Sequence, residues 1–109
     1  MPDHDTTVVV VARLTPVPER RDELVAAIAE AIPGVHEESG CLRYALHAEP
    51  ETGLLMMVES WADRAALDAH LAGAPFKAMG ERLAPLCAAP AELHILEPLP
   101  AGDPAKGVV

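Results

Sequence analysis

A chain of 109 residues with a formal charge of −9 fits one small acidic domain and leaves little room for a second. The surplus of 17 Asp and Glu over 8 Lys and Arg argues against nucleic-acid partners and anionic membrane surfaces, because both repel negative charge. The two cysteines lack the spacing of a zinc site or a disulfide framework, and no secretory signal or membrane span is readable. We therefore expect a cytoplasmic protein without a metal site.

Apolar periodicity and turn residues divide the sequence into strands and helices. Strands are predicted where β-branched or alternating apolar residues run, and helices where apolar residues recur every three or four positions. Proline and glycine separate these runs, and Asp63 is a suitable N-cap for the second helix. In chain order, we predict a strand over residues 7–14, a helix over 19–38 that Pro33 and Gly34 kink, strands over 41–49 and 54–61, a helix over 64–71 that restarts at Pro75, and a strand over 91–97.

This order is β-α-β-β-α-β, which predicts an α+β, ferredoxin-like fold: a four-stranded antiparallel sheet with helices on one face. The first strand is apolar on both faces, although the uncovered face of such a sheet is normally polar. We therefore expect a second copy of the chain to cover that face, which gives a homodimer. Residues 1–6 are predicted to form an N-terminal arm, residues 7–97 the domain, and the Pro- and Gly-rich residues 98–109 a C-terminal tail.

Four short strings of residues together resemble the antibiotic biosynthesis monooxygenase family. They are Glu-Ser-Gly-Cys-Leu-Arg-Tyr at 38–44, Glu-Ser-Trp-Ala-Asp at 59–63, Ala-Leu-Asp-Ala-His-Leu at 66–71 and Pro-Phe at 75–76. The resemblance covers roughly residues 7–97 and implies a dimeric α+β barrel, in which two sheets face each other. It also implies oxidation of phenols, quinols or anthrone-like polyketides by O₂, without a metal or flavin cofactor.

Glu59 and His70 are the predicted catalytic residues. Glu59 shares a strand face with Trp61, two positions on, and His70 lies on or beside the buried stripe of its helix. A carboxylate and an imidazole between sheet and helices could remove a proton from a phenol or quinol, and the resulting anion can pass an electron to O₂. The aromatic and thioether side chains predicted to bind the substrate are Trp61, Tyr44, Phe76, Met57 and Met79, with Met56 beside them.

Each of these residues also has a purely structural interpretation. His70 can be a hydrogen-bonded structural histidine, and Glu59 can form a salt bridge with Arg43 or Arg13. Trp61 can be a core anchor. The pair at positions 37–38 is interpreted as a solvated helix end rather than an acid/base pair.

Three functions therefore remain open at this point. The first is a cofactor-independent monooxygenase of a small aromatic phenol or quinol. The second is a non-catalytic dimeric protein that binds a small apolar ligand, and the third is an isomerase that uses His70 as its acid/base. Haem degradation is disfavoured, since Ala12, His70 and Gly80 stand where the resemblance to haem-degrading members implies Asn, Trp and His.

Overall fold

The computed structural model describes residues 6–109, so five of the six residues of the predicted N-terminal arm lie outside the described residues. Residues 6–109 form four strands and three α-helices in the predicted order. These elements are β1 Val8–Leu14, a short 3₁₀ turn Pro18–Arg20, α1 Arg21–His36, β2 Cys41–Ala48, β3 Leu55–Trp61, α2 Arg64–Ala72, α3 Ala74–Leu83, a second 3₁₀ turn Ala84–Leu86, and β4 Glu92–Leu96. The α+β, ferredoxin-like fold class is thus confirmed.

The four strands form one antiparallel sheet in the order β2-β3-β1-β4. We call the face that packs on the helices the inner face, and the opposite one the outer face. The hydrophobic core lies on the inner face, where Val10 and Leu55 of the sheet pack with Leu24 and Ile28 of α1 and Leu67 of α2. The two central strands, β1 and β3, supply most of the buried side chains that the sheet contributes to this face.

A glycine fixes the junction between α1 and β2. Gly40 has φ +84°, which side chains disfavour, and a Cβ placed there would lie 2.5 Å from the Cβ of Ala66. The backbone of this junction also accepts a hydrogen bond from the Ala62 amide at 2.8 Å. The end of α1 is thereby held directly against the first turn of α2, which Asp63 caps as predicted, its carboxylate accepting from the Ala66 amide.

One local feature departs from a regular strand. An unbroken alternation along the predicted strand 41–49 would put Leu42 on the same face as Tyr44 and Cys41 on the other, but a bulge between Cys41 and Arg43 shifts the register. Because the bulge adds one residue to β2, Cys41 packs against the core and Leu42 is 42% exposed. Helix α1 contains Pro33 within its bounds, Arg21–His36, and the kink at Pro33 and Gly34 stays a prediction.

The outer face of the sheet is apolar at its centre. Val9 and Val11 of β1 lie beside Val58 of β3, and Val9 is only 8% exposed. Charged residues stand at the margin, where Arg13 of β1 forms an ion pair with Glu92 of β4.

No helix of residues 6–109 is long and apolar enough to cross a membrane.

Candidate active site

A cavity of about 570 Å³ lies between the inner face of the sheet and α3. Small-molecule sites commonly measure about 300–1,000 Å³ and are mostly apolar, so this cavity has the size of a ligand site. It has a sheet wall and a helix wall. The sheet wall comprises Ala12, Leu14, Tyr44, Met57, Glu59 and Leu93; the helix wall comprises Ile28, Phe76, Met79, Gly80, Leu83, Ala84, Cys87, Ala88, Ala89, Pro90 and Ala91.

Among the described residues that line the cavity, Glu59 is the one carboxylate. It lies on β3, opposite Val10 of β1 and Tyr44 of β2, and is 4% exposed. Its Oε1 accepts a hydrogen bond of 3.0 Å from Nε1 of Trp61, two residues along the strand. The strand period of two explains this contact, because residues 59 and 61 project from the same face.

The environment of Glu59 favours the protonated acid more than water does. Burial raises the pKa of Glu59 above its ordinary value, and the hydrogen bond from Trp61 and the charge of His70 partly lower it again. The negative charge of Glu38 acts in the same direction as burial. A carboxylate with a raised pKa is a stronger base once ionised, which suits the removal of a proton from a weakly acidic ligand.

The other two ionisable side chains of the cavity stay neutral near pH 7. Burial, followed by the charge of Glu59, raises the pKa of Tyr44 far above its ordinary value. Burial also raises the pKa of the Cys87 thiol. The cavity therefore offers one carboxylate in otherwise uncharged surroundings.

His70 of α2 and Trp61 of β3 lie beside the cavity, on the inner face of the sheet, and are not among its lining residues. Both are buried, at 3% and 0% exposure, and their rings lie 4.5 Å apart with 32° between their planes. The His70 ring also meets Tyr44 and Phe76 edge-on, at 5.7 and 5.1 Å. Its Nδ1 lies 2.9 Å from Oε1 of Glu38.

The seven predicted site residues thus converge on one place, although in two layers. Five of them line the cavity: Glu59, Tyr44, Phe76, Met57 and Met79. Trp61 and His70 form the layer beside the cavity. Met56 instead points to the outer face, opposite Arg13 and His47, because neighbouring residues of a strand cannot share a face.

Two of the structural interpretations made from the sequence are wrong. Glu59 does not pair with Arg13, which is engaged with Glu92 on the outer face, or with Arg43, which is also directed outward. Glu38 is not a solvated helix end, since its carboxylate contacts the buried His70 ring. The long sequence separation hid this contact, although Glu38 opens the first of the four family-like strings.

Gly80 is a further lining residue, which the sequence analysis named only in the argument against haem degradation. It lies inside α3, where glycine weakens a helix, and a Cβ there would meet nothing within 4 Å. Neither φ nor packing therefore calls for glycine at this position. Within residues 6–109, no group of three or more His, Cys, Asp or Glu side chains is arranged to hold a metal ion.

Comparison with known proteins identifies the family. The sequence profile for antibiotic biosynthesis monooxygenases matches residues 7–82. The chain belongs to the antibiotic biosynthesis monooxygenase family. The match ends within α3, and β4 completes the sheet beyond it.

Three relatives illustrate the likeness. "Putative monooxygenase Rv0793" of Mycobacterium tuberculosis is 30% identical over 92 residues, 84% of this chain and 91% of that protein. Its solved structure superposes with a TM-score of 0.82, at 28% identity, covering 90% of this chain and all of that one. A Caulobacter crescentus structure named as a "putative antibiotic biosynthesis monooxygenase" has a TM-score of 0.80 and 28% identity, covering 88% and 92% of the two chains. "Uncharacterized protein sll1783" of Synechocystis is 32% identical over 84% of this chain, which spans 63% of that protein's length.

Proposed function

We propose that this protein is a cofactor-independent monooxygenase that oxidises a small aromatic phenol or quinol with O₂. The observation that carries the proposal is Glu59, a buried carboxylate at the wall of an apolar cavity. Membership of the antibiotic biosynthesis monooxygenase family supports the reaction class. The one cavity carboxylate suits a ligand that is neutral, largely apolar and carries an acidic hydroxyl group.

The proposed reaction begins when Glu59 takes the hydroxyl proton of the bound ligand. The phenolate is far more electron-rich than the phenol, so it can transfer one electron to O₂. The resulting radical pair combines at a ring carbon that carries hydrogen and forms a hydroperoxide. Cleavage of the O–O bond then releases water and leaves a carbonyl, so that phenol plus O₂ gives quinone plus H₂O, and a quinol gives a hydroxyquinone.

The side chains of the cavity walls favour the binding of a flat ligand. Tyr44 and Phe76 present aromatic surface, and Met57 and Met79 present polarisable thioethers that pack favourably against rings. The raised pKa of Tyr44 keeps its hydroxyl protonated near neutral pH, so it can donate a hydrogen bond to a ligand oxygen. Apolar walls also exclude water from the charged intermediates.

Oxygen uptake by chelator-treated protein tests the proposal. A panel of hydroquinones and polycyclic phenols would be offered with O₂, and product oxygen traced with ¹⁸O₂. We expect protein-dependent uptake with one ¹⁸O atom in the product and one in water. Binding to the same compounds in a thermal-shift assay without O₂ uptake would instead favour a ligand-binding protein. A product of unchanged mass formed without O₂ would favour an isomerase.

We also propose a homodimer in which a second copy covers the outer face, with residues 7–97 as the folded unit and residues 98–109 as an arm able to reach the partner. The apolar centre around Val11 and Val58, both partly exposed, supports this, since contiguous apolar surface on a sheet face marks interaction surfaces. Val11→Glu is expected to give a monomer in sedimentation equilibrium. Ala29→Glu, on the exposed side of α1, adds the same charge and is expected to leave the dimer intact. A wild-type monomer at micromolar concentration would contradict the proposal.

A further inference from the structure

Three side chains connect the end of α1 to the proposed base. Glu38 Oε1 lies 2.9 Å from His70 Nδ1, and the His70 ring lies 4.5 Å from the Trp61 indole. The indole N–H in turn donates to Oε1 of Glu59 at 3.0 Å. We call Glu38, His70 and Trp61 the support group, because each contacts the next and the last contacts Glu59.

The first contact of the support group fixes the orientation of the imidazole. An ionised carboxylate can only accept, so His70 Nδ1 carries the hydrogen that is donated to Glu38. Glu38 is itself held by its backbone, whose amide donates to Val35 and whose carbonyl accepts from Cys41. The close contact of Gly40 with Ala66 holds this turn against α2, the helix that contains His70.

The second contact fixes the indole. The Trp61 side chain is fully buried between Tyr44 and His70, with ring centroids at 6.4 and 4.5 Å. Its N–H reaches one oxygen of Glu59, and no second hydrogen bond within residues 6–109 reaches that carboxylate. Since no buried side-chain oxygen of the described residues lacks a partner, the other Glu59 oxygen is open to the cavity.

We infer that Glu38 and His70 are positioning residues: through the Trp61 indole they hold the Glu59 carboxylate with one oxygen fixed and the other presented to the ligand. This inference rests on the role of Glu59 proposed above and assigns His70 to the layer beside the cavity instead of to direct proton transfer. A positioning role predicts an effect on turnover more than on ligand binding. It also predicts that a change at Glu38 is felt at the Trp61 indole.

The charges of the group act on Glu59 as well. The titratable side chains grouped around His70 are Glu38, Glu59 of β3, Tyr44 of β2 and Cys41 at the start of that strand. The charge of His70 lowers the pKa of Glu59. Removing that charge without removing the ring, as in His70→Phe, is therefore expected to raise the pKa of Glu59.

The single tryptophan makes the inference directly measurable. Trp61 is the one Trp of the chain, so a ¹H–¹⁵N spectrum contains one indole N–H signal, which reports its hydrogen bond to Glu59. We expect Glu38→Ala and His70→Phe to move this signal, and His70→Phe to shift the Glu59-dependent pH titration of the signal upward. Glu37→Ala removes the same side chain from the exposed neighbouring position and is expected to leave the signal in place.

Kinetics with an accepted substrate supply the second readout. We expect kcat of Glu38→Ala to fall by about 10- to 100-fold, because the variant removes the oxygen that accepts from His70 Nδ1 and small misplacement of a reacting group is costly, with KM changed less than about twofold. Glu37→Ala is expected to match wild type. If His70→Phe fails to fold, Glu38→Ala decides alone, because the Glu38 side chain is a quarter exposed and tolerates truncation.

An unmoved indole signal in Glu38→Ala overturns the inference, whatever the activity. A KM effect with unchanged kcat also overturns it. Wild-type protein that consumes no O₂ with any phenol or quinol, while the indole signal still responds to Glu38, rejects the proposed function and supports the physical coupling of Glu38 to Glu59.

Discussion

The two walls of the cavity differ in rigidity and in chemistry. On the sheet wall, Tyr44, Met57 and Glu59 are all nearly buried and lie on adjoining strands. On the helix wall, Leu83 is also buried, but Phe76 and Met79 are only half-buried. The strand ladder fixes side chains through paired backbones, whereas the part of the helix wall around Phe76 and Met79 is more open to solvent. We therefore assign the proton-transfer chemistry to the sheet wall and the selection of ligand size to the helix wall.

A matched pair of methionines tests the difference in rigidity and should give the largest change in stability. Met57 is 3% exposed on the sheet wall, and truncation of a buried Met to Ala typically costs about 2–5 kcal/mol. Met79 on the helix wall is half-buried, so we expect Met79→Ala to cost about 1 kcal/mol or less. Urea denaturation of the two variants gives both free energies of unfolding. Equal costs would show that the two walls are equally well packed.

Two helix glycines, one in the cavity wall and one outside the cavity, test the role of the helix wall, first through stability. Gly80→Ala should stabilise the protein by about 0.5–1 kcal/mol, because glycine inside a helix is unfavourable and the added Cβ meets nothing. Gly34→Ala in α1 should give a similar gain, since a Cβ there also has no neighbour within 4 Å. Thermal denaturation measures both gains.

Variants at the same two glycine positions distinguish an effect on ligand selection from an effect on stability. Gly80 lines the cavity and Gly34 does not, so a larger side chain at position 80 should weaken binding of polycyclic phenols more than of monocyclic ones. Gly80→Leu and Gly34→Leu, compared by ligand titration, give the ratio of the two affinities. A ratio that is the same in both variants would contradict a size-selecting role for the helix wall.

The burial of Glu59 predicts a smaller effect that depends on pH. The pKa of Glu59 is raised in the folded protein above its ordinary value of 4.5, so the folded state holds this proton more tightly than the unfolded state. The favourable contribution is fully present below pH 4.5 and is lost as the pH rises through the folded-state pKa. Glu59→Gln should therefore be more stable than wild type near neutral pH.

Urea denaturation across a pH series checks this expectation. The stability advantage of Glu59→Gln should shrink as the pH falls and vanish where Glu59 is protonated in both states. The glutamine oxygen can still accept from Trp61, so the hydrogen bond does not confound the comparison. An advantage that is constant with pH would mean that packing, and not ionisation, separates the two proteins.

The fold was largely readable from the sequence because its signals are local. Apolar periodicity located all four strands and the helices, and Asp63 and Gly40 marked a helix start and a turn that the structure contains. The bulge at Cys41 was missed, since an extra residue in a strand leaves the alternation of side chains looking regular in sequence.

The residue types of the site could be predicted from the sequence, but its geometry could be predicted only in part. Glu59 and Trp61 share a strand face, so their proximity followed from a period of two. The contact of Glu38 with His70 joins residues 32 positions apart and depends on how α2 packs beside the end of α1. No local pattern encodes that packing, which is why His70 was expected at the cavity and Glu38 in solvent.

Oxygen uptake by Glu59→Gln tests the central claim most directly. The assay compares wild type, Glu59→Gln and the exposed Glu37→Gln, each shown by thermal shift to bind the same phenol. Loss of a general base typically lowers turnover by about 10²–10⁴-fold, so we predict that fall in kcat for Glu59→Gln and none for Glu37→Gln. Uptake by Glu59→Gln at the wild-type rate would contradict the assignment of Glu59 as the base.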